Sequence, residues 1–288
     1  MRKKEFGIYH FKSGQWGVSD FDLIKAYKNH GFSYVCFYAN YQPVELIKKC
    51  IIFAREIGLK VNTVHGPLLN NSQIWEENYE DYLSLLKDYI KMCGELKIRY
   101  FIMHTAGKEC LSFSEIGLKN FKELVILAKK YRVIILGENL RTIDHLIFLT
   151  EKIKSKYFQI CLDFGHANVW CYSPADFISK YKRHIKAVHI HDNFGPNSGD
   201  LHLIPFKGNI NWVKLMPCLH MYYKGPITLE LDNFKTEEFK YDNLDEYLDD
   251  AYKSAELLDN YKNWKIIFNT LLKYVDFVNF QILTFRFR

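Results

Sequence analysis

The sequence predicts an α/β fold, a closed (β/α)8 TIM barrel. Three observations predict it. Eight short apolar, β-leaning runs recur with an amphipathic segment after each. The 288 residues suit eight such units with room for little else. Residues 10–17, after the first run, contain no G-x-G-x-x-G phosphate turn, which an open doubly wound sheet ordinarily carries there. Strand, helix, strand repeated in this way forces parallel pairing through right-handed crossovers.

Taken in order, the strands are expected at residues 6–10, 34–38, 61–65, 100–104, 133–138, 159–163, 187–191 and 227–231. Helical periodicity places the intervening segments at 20–29, 44–57, 77–96, 114–130, 143–154, 174–181, 212–219 and 244–258. Ser114 before Glu115 and Ser173 before Pro174 read as helix starts. Gly31, Gly58 and Gly225 read as helix stops. One catalytic barrel domain is therefore expected over residues 1–260. Residues 261–288 are apolar and aromatic and fall outside the pattern. Three readings stay open for this C-terminal extension: a helix and strand covering the barrel, an oligomer contact, or an ill-fitting terminus.

Composition narrows the function classes. No run reaches the roughly 18 apolar residues of a membrane span, and Met1-Arg2-Lys3-Lys4-Glu5 leads into patterned sequence without an apolar signal segment. Thirty-nine Lys and Arg against 33 Asp and Glu make a net charge of +6, read along the chain as diffuse rather than as a nucleic-acid stripe. The seven cysteines are scattered and include no C-x-x-C pair, which suits free thiols in a cytoplasmic protein.

A barrel enzyme keeps its chemistry at the carboxyl ends of its strands. Nine imidazoles and carboxylates fall there: His65, His104, Glu138, Asp163, His166, His189, Asp200, His202 and Glu230. A single histidine at a strand end is ordinarily a hydrogen-bonded rim residue, and a single carboxylate ordinarily meets a basic neighbour. Nine together are different. Converging carboxylates repel one another unless cations intervene, so bound divalent metal is the economical explanation. The ligand types suit Zn, Mn or Co over Ca, and one to three ions. Asn139, His191 and Asp192 stand beside the ligands and are candidate orienting or substrate-binding groups. Lys108, Arg141 and Lys207 are candidates for a phosphate. Trp16, Trp75 and Trp170 are expected to wall the pocket, and Trp212 to pack a helix onto the barrel.

The wording of these strand ends resembles the xylose isomerase-like barrel superfamily, which holds sugar phosphate isomerases/epimerases and the endonuclease IV family. The resemblance rests on Leu136-Gly137-Glu138-Asn139-Leu140, on Leu162-Asp163-Phe164-Gly165-His166-Ala167, and on His189-Ile190-His191-Asp192-Asn193 through Asp200-Leu201-His202 to Gly208-Asn209-Ile210-Asn211-Trp212. It covers residues 5–258. Membership of the isomerase/epimerase branch implies one divalent ion held by Glu138, Asp163, His189 and Glu230. The two glutamates would then act as acid and base on a small sugar or sugar phosphate. Membership of the endonuclease branch implies those four plus His65, His104, His166, Asp200 and His202 around three metals, with abasic DNA as substrate. The short Asn40-Tyr41-Gln42-Pro43 loop lacks an Arg for a DNA groove. Leu68-Leu69 stands where the nucleases carry an aromatic residue. Both departures favour the isomerase/epimerase. A barrel that binds metal or ligand without turnover is the third reading. A homo-oligomer is possible under any of them, and no membrane partner is expected.

Overall fold

The computed structural model of the protein describes residues 5–11, 13–39, 44–68, 71–107, 112–141 and 143–261. The C-terminal extension past Tyr261, Lys108 and the 40–43 loop lie outside them. Eight strands run parallel: β1 (Phe6–His10), β2 (Tyr34–Tyr38), β3 (Thr63–His65), β4 (Tyr100–His104), β5 (Ile134–Glu138), β6 (Phe158–Asp163), β7 (Ile185–His189) and β8 (Ile227–Leu229). Each pairs with its successor from β1 to β7, and β1 also pairs with β8. The last seam is joined just past β7. There Ile190 N donates to Thr228 O at 3.0 Å and Glu230 N to Ile190 O at 3.1 Å. The expected (β/α)8 barrel forms.

The helices are α1 (Asp20–Asn29), α2 (Val44–Glu56), α3 (Glu80–Glu95), α4 (Glu115–Tyr131), α5 (Ile143–Ile153), α6 (Phe164–Val169), α7 (Pro174–Tyr181), α8 (Trp212–Tyr222) and α9 (Leu244–Asn260). Ser114 and Ser173 cap α4 and α7 as expected, their hydroxyls accepting from Gly117 N and Asp176 N. Gly31 and Gly58 close α1 and α2 in the left-handed region, at φ +95° and +83°. Gly225 does no such work, because α8 runs through Pro217 and ends in extended backbone at Tyr223. The short helix α6 is absent from the periodicity reading: six residues are too few to show a period, and Asp163 starts it by accepting from His166 N at 2.6 Å. Strand β7 sits two residues earlier than expected, and past His189 the pairing passes to the last seam through Ile190.

Strand pleating sorts the side chains into two sets. Phe6, Ile8, Val35, Phe37, Val64, Phe101, Met103, Ile135, Leu162 and Val188 join the large core shared with the helices. The alternate positions line the barrel interior, where Ile102, Leu136, Cys161 and Ala187 form one apolar plug and Tyr9, Cys36 and Tyr38 another. Strands β3 to β7 each end on an inward residue, and those five residues are His65, His104, Glu138, Asp163 and His189. Register sets His104 level with Glu138 and Asp163 level with His189.

Two tryptophans expected at the pocket belong elsewhere. Trp75 is buried, its Nε1 donating to Thr105 O at 2.7 Å and its ring against Phe121 and His145. Trp16 packs on Phe234 and Tyr247. Trp212 holds α8 to Phe164, as its position implies. Replacing Trp75 by Ala leaves a cavity and an unsatisfied carbonyl, so the variant is expected to lose about 3–5 kcal/mol in denaturant unfolding. A loss under about 1 kcal/mol would place Trp75 outside the core.

Candidate metal centre

Because β3 to β7 end level with one another, their terminal side chains crowd one mouth. Glu138 is the hub. Its Oε2 lies 2.8 Å from His65 Nε2 and 3.4 Å from His104 Nε2, and its Oε1 lies 2.9 Å from His189 Nδ1. The same His189 Nδ1 is 3.0 Å from Glu230 Oε2 and 3.6 Å from Asp163 Oδ2. A second focus forms around Asp200, which approaches His202 Nε2 at 2.8 Å, His166 Nε2 at 3.5 Å and His191 Nε2 at 3.7 Å. Three groups of side chains thus offer ligand atoms within 4.8 Å of one another: Glu138, Asp163, His189 and Glu230; His65, His104 and Glu138; His166, His191, Asp200 and His202. All nine residues read from the sequence are brought together, and His191 joins them.

The imidazoles are held by their far nitrogens. His65 Nδ1 donates to Gly66 O at 2.8 Å, His166 Nδ1 to Asn139 O at 3.0 Å and His202 Nδ1 to Glu230 O at 2.8 Å. Tyr9 OH meets His189 Nε2 at 2.7 Å, and Asn71 Nδ2 steadies His104 at 3.1 Å. Each bond to a carbonyl fixes a tautomer and leaves the inner nitrogen for a ligand. His191 lies flat on His202, ring centres 3.9 Å apart. It reaches that place because Gly165 has no side chain, as a Cβ there would stand 1.9 Å from His191 Cε1.

The donors are too few for the acceptors. Three carboxylates face His189 Nδ1, which carries one proton at most. Among the described residues, Glu230 Oε2, Asp200 Oδ1 and His191 Nδ1 are buried without a hydrogen-bond partner. Unsatisfied buried acceptors are expensive, and cations would satisfy all of them at once. Burial pushes Glu230 up to about 8, with Lys235 opposing weakly. Burial works against a charged His166, yet Asp163 and Asp200 carry it up to about 10. Burial takes His202 down to about 4 despite Asp200. Protons thus stand where positive charge is lacking, and the mixed imidazole and carboxylate set fits divalent metal.

Other expected residues have other duties. Asn139 is buried, spanning the Asp163 backbone (Nδ2 to O 2.8 Å, N to Oδ1 2.7 Å) and bonding Tyr172 OH. Asp192 is buried and accepts from Phe206 N, Ile210 N and Trp212 Nε1, which anchors the loop after β7. Both are buried and neither lines the cleft at the mouth. Lys207 turns outward toward Asp250 at 3.8 Å. Lys108 lies outside the described residues. The mouth opens into a cleft of about 810 Å³ lined by His104, His166, Asp200, Trp170, Arg141 and Lys235. Lys235, which donates to Asp200 O at 2.7 Å, and Tyr9 escape a sequence reading: one sits in a long loop after β8, the other one residue before the end of β1 in an apolar run.

A family model described as a xylose isomerase-like TIM barrel matches residues 24–259. An uncharacterized protein of Methanocaldococcus jannaschii is 31% identical over 218 residues, 69% of each chain. D-psicose 3-epimerase from Clostridium cellulolyticum, solved with D-tagatose, shares the fold with a TM-score of 0.72 at 15% identity, over 89% of this chain and 98% of that one. A D-tagatose 3-epimerase-like protein does so with a TM-score of 0.70 at 23% identity, over 93% and 99%. Strand order, the ionisable ring at the strand ends and the match across residues 24–259 agree, and the chain belongs to the xylose isomerase-like TIM barrel family.

Proposed function

We propose that the chain is a metal-dependent isomerase or epimerase of a small sugar or sugar phosphate, with Glu138 and Glu230 as its acid and base. The observation that carries this reading is the approach of both glutamates to one nitrogen, His189 Nδ1, at 2.9 and 3.0 Å. Glu138, Asp163, His189 and Glu230 would hold a divalent ion, which when bound polarises a carbonyl and acidifies the neighbouring C–H. One glutamate carboxylate takes that proton on an oxygen, and the other glutamate returns a proton to the same carbon or the next. The apolar plug of Ile102, Leu136 and Cys161 closes the barrel beneath these groups. Trp170 at the cleft wall offers a ring face to a sugar, and Arg141 and Lys235 offer charge to a phosphate. The cleft's size suits a small ligand. The solved relative bound to D-tagatose supports a ketose as the first substrate to test.

One observation favours a second reading. The groups His65–His104–Glu138 and His166–His191–Asp200–His202 exceed what a single ion needs, and a multinuclear centre suits phosphodiester hydrolysis at abasic DNA.

Incubation in deuterated water with D-tagatose, D-psicose and their phosphates is expected to place deuterium on the carbon next to the carbonyl, read by NMR. Glu138→Gln and Glu230→Gln should each lower that rate by about 10²- to 10⁴-fold, and EDTA should stop it. Nicking of abasic duplex that disappears in Glu230→Gln, with no deuterium uptake by any ketose, would establish the nuclease instead. Elemental analysis provides an independent check. The parent is expected to bind more than one divalent ion per chain. Gly165→Ala, by expelling His191, should lose the ion held near Asp200 while keeping that held by Glu138, Asp163, His189 and Glu230. Equal stoichiometry in both proteins would remove His191 from the ligands.

A further inference from the structure

The chain's positive charge is gathered at the end of the barrel opposite the metal-ligating groups. Residues 97–99, 129–132, 152–156 and 180–186 lead into β4, β5, β6 and β7 at the N-terminal face. They hold twelve Lys and Arg and no Asp or Glu, so the rest of a chain of net charge +6 carries a net −6. A hollow of about 880 Å³ at this face is lined by Lys97, Arg99, Arg132, Lys156 and Lys186, with Tyr131 and Tyr157 among them and no carboxylate.

Part of this charge has a local explanation. Lys129, Lys130, Lys152 and Lys180 sit in the last turns of α4, α5 and α7, where cations offset the helix dipole. Arg99, Arg132, Lys156 and Lys186 lie beyond the helix ends. Among the described residues they form no ion pair. The adjoining part of the same face is different, since Lys60 pairs with Glu5 and His30 with Asp245 and Asp249. Unpaired like charges around one hollow repel, and a bound anion relieves them. Each of the four segments also sets a cation over a tyrosine. Arg99 lies 5.5 Å from the Tyr100 ring, Lys130 5.9 Å from Tyr131, Lys156 5.5 Å from Tyr157 and Lys180 5.1 Å from Tyr181. Tyr181 is buried, but Tyr131 and Tyr157 are part-exposed and line the hollow among the cations, the makings of a single-strand surface with phosphates on the charges and bases on the rings. The charge runs past the hollow across all four segments, which suits an extended polymer over a compact anion, and the concavity argues against a flat membrane.

We propose that this N-terminal face docks a single-stranded nucleic acid, its phosphates on Arg99, Arg132, Lys156 and Lys186. The proposal is independent of the chemistry at the other end of the barrel. Fluorescence anisotropy with a labelled oligouridylate of about 20 nucleotides should show binding by the full chain that weakens as salt rises. Combined Arg99→Gln, Arg132→Gln, Lys156→Gln and Lys186→Gln should bind at least about tenfold more weakly, and its log–log salt slope should fall by about 0.7 for each contact removed. Far-UV dichroism checks that this variant folds. If it does not, single Arg99→Gln and Lys156→Gln variants should each bind weaker, and wild-type affinity in both would overturn the proposal. Lys25→Gln, Lys48→Gln, Lys240→Gln and Lys253→Gln together remove the same charge elsewhere and should leave affinity unchanged. Equal weakening in the two quadruple variants, full binding by the first, displacement of the strand by ATP at equimolar nucleotide, or displacement by polyglutamate at equal charge would each overturn it.

Discussion

Three buried carboxylates and the part-exposed Asp200 share one barrel mouth with too few N–H groups to satisfy them, and the surroundings are arranged to hold that imbalance in place. Glu138 and Asp163 are wholly buried and Glu230 nearly so. Left to themselves, such groups would repel or take up protons. Three imidazoles are tied back through a carbonyl and a fourth through Tyr9, so their inner nitrogens point at the carboxylates rather than rotating away.

Strand pleating makes this possible. An inward position at the end of a strand sits at the edge of an apolar interior, where Ile102, Leu136 and Cys161 fill the space below. Electrostatic interactions at that boundary are stronger than in water. Moving one of these strands by a single residue would turn its ligand into the helix layer. The closure of the barrel and the assembly of the site are therefore one event. The seam past β7 illustrates it: the backbone bonds that join Ile190 to Thr228 and Glu230 also bring Glu230 to His189.

Small residues complete the arrangement where bulk would destroy it. Gly165 lets His191 lie against α6, and Gly208 lets the loop after β7 wrap around Asp192, where a Cβ would meet Asp192 Oδ1 at 2.3 Å. Asp192 in turn gathers Phe206, Ile210 and Trp212. That loop carries Asp200 and His202 back over the mouth. The mouth, ringed by Glu138, Asp163, Asp200 and Glu230, and the N-terminal face, ringed by Lys and Arg, give the barrel two contrasting ends.

The sequence by itself determined the barrel and nearly the whole ring of ionisable residues. Both follow from local rules: alternation of strand and helix dictates parallel closure, and a residue at a strand's carboxyl end is at the mouth wherever the other strands lie. Element ends were off by a few residues, and α6 was invisible because one and a half turns carry no period. Only the tertiary structure decided which ring members share a focus, that His191 is among them, and that Asn139 and Asp192 serve the backbone. It also decided that Trp75 is core and that Lys235 belongs to the cleft. The charge reading changed most. Twelve cations scattered over ninety residues of chain look diffuse until parallel pairing lines up the starts of β4 to β7. Local pattern specifies elements and the end of each strand that faces the mouth. Neighbours across the barrel are set by register and packing, which no stretch of sequence contains alone.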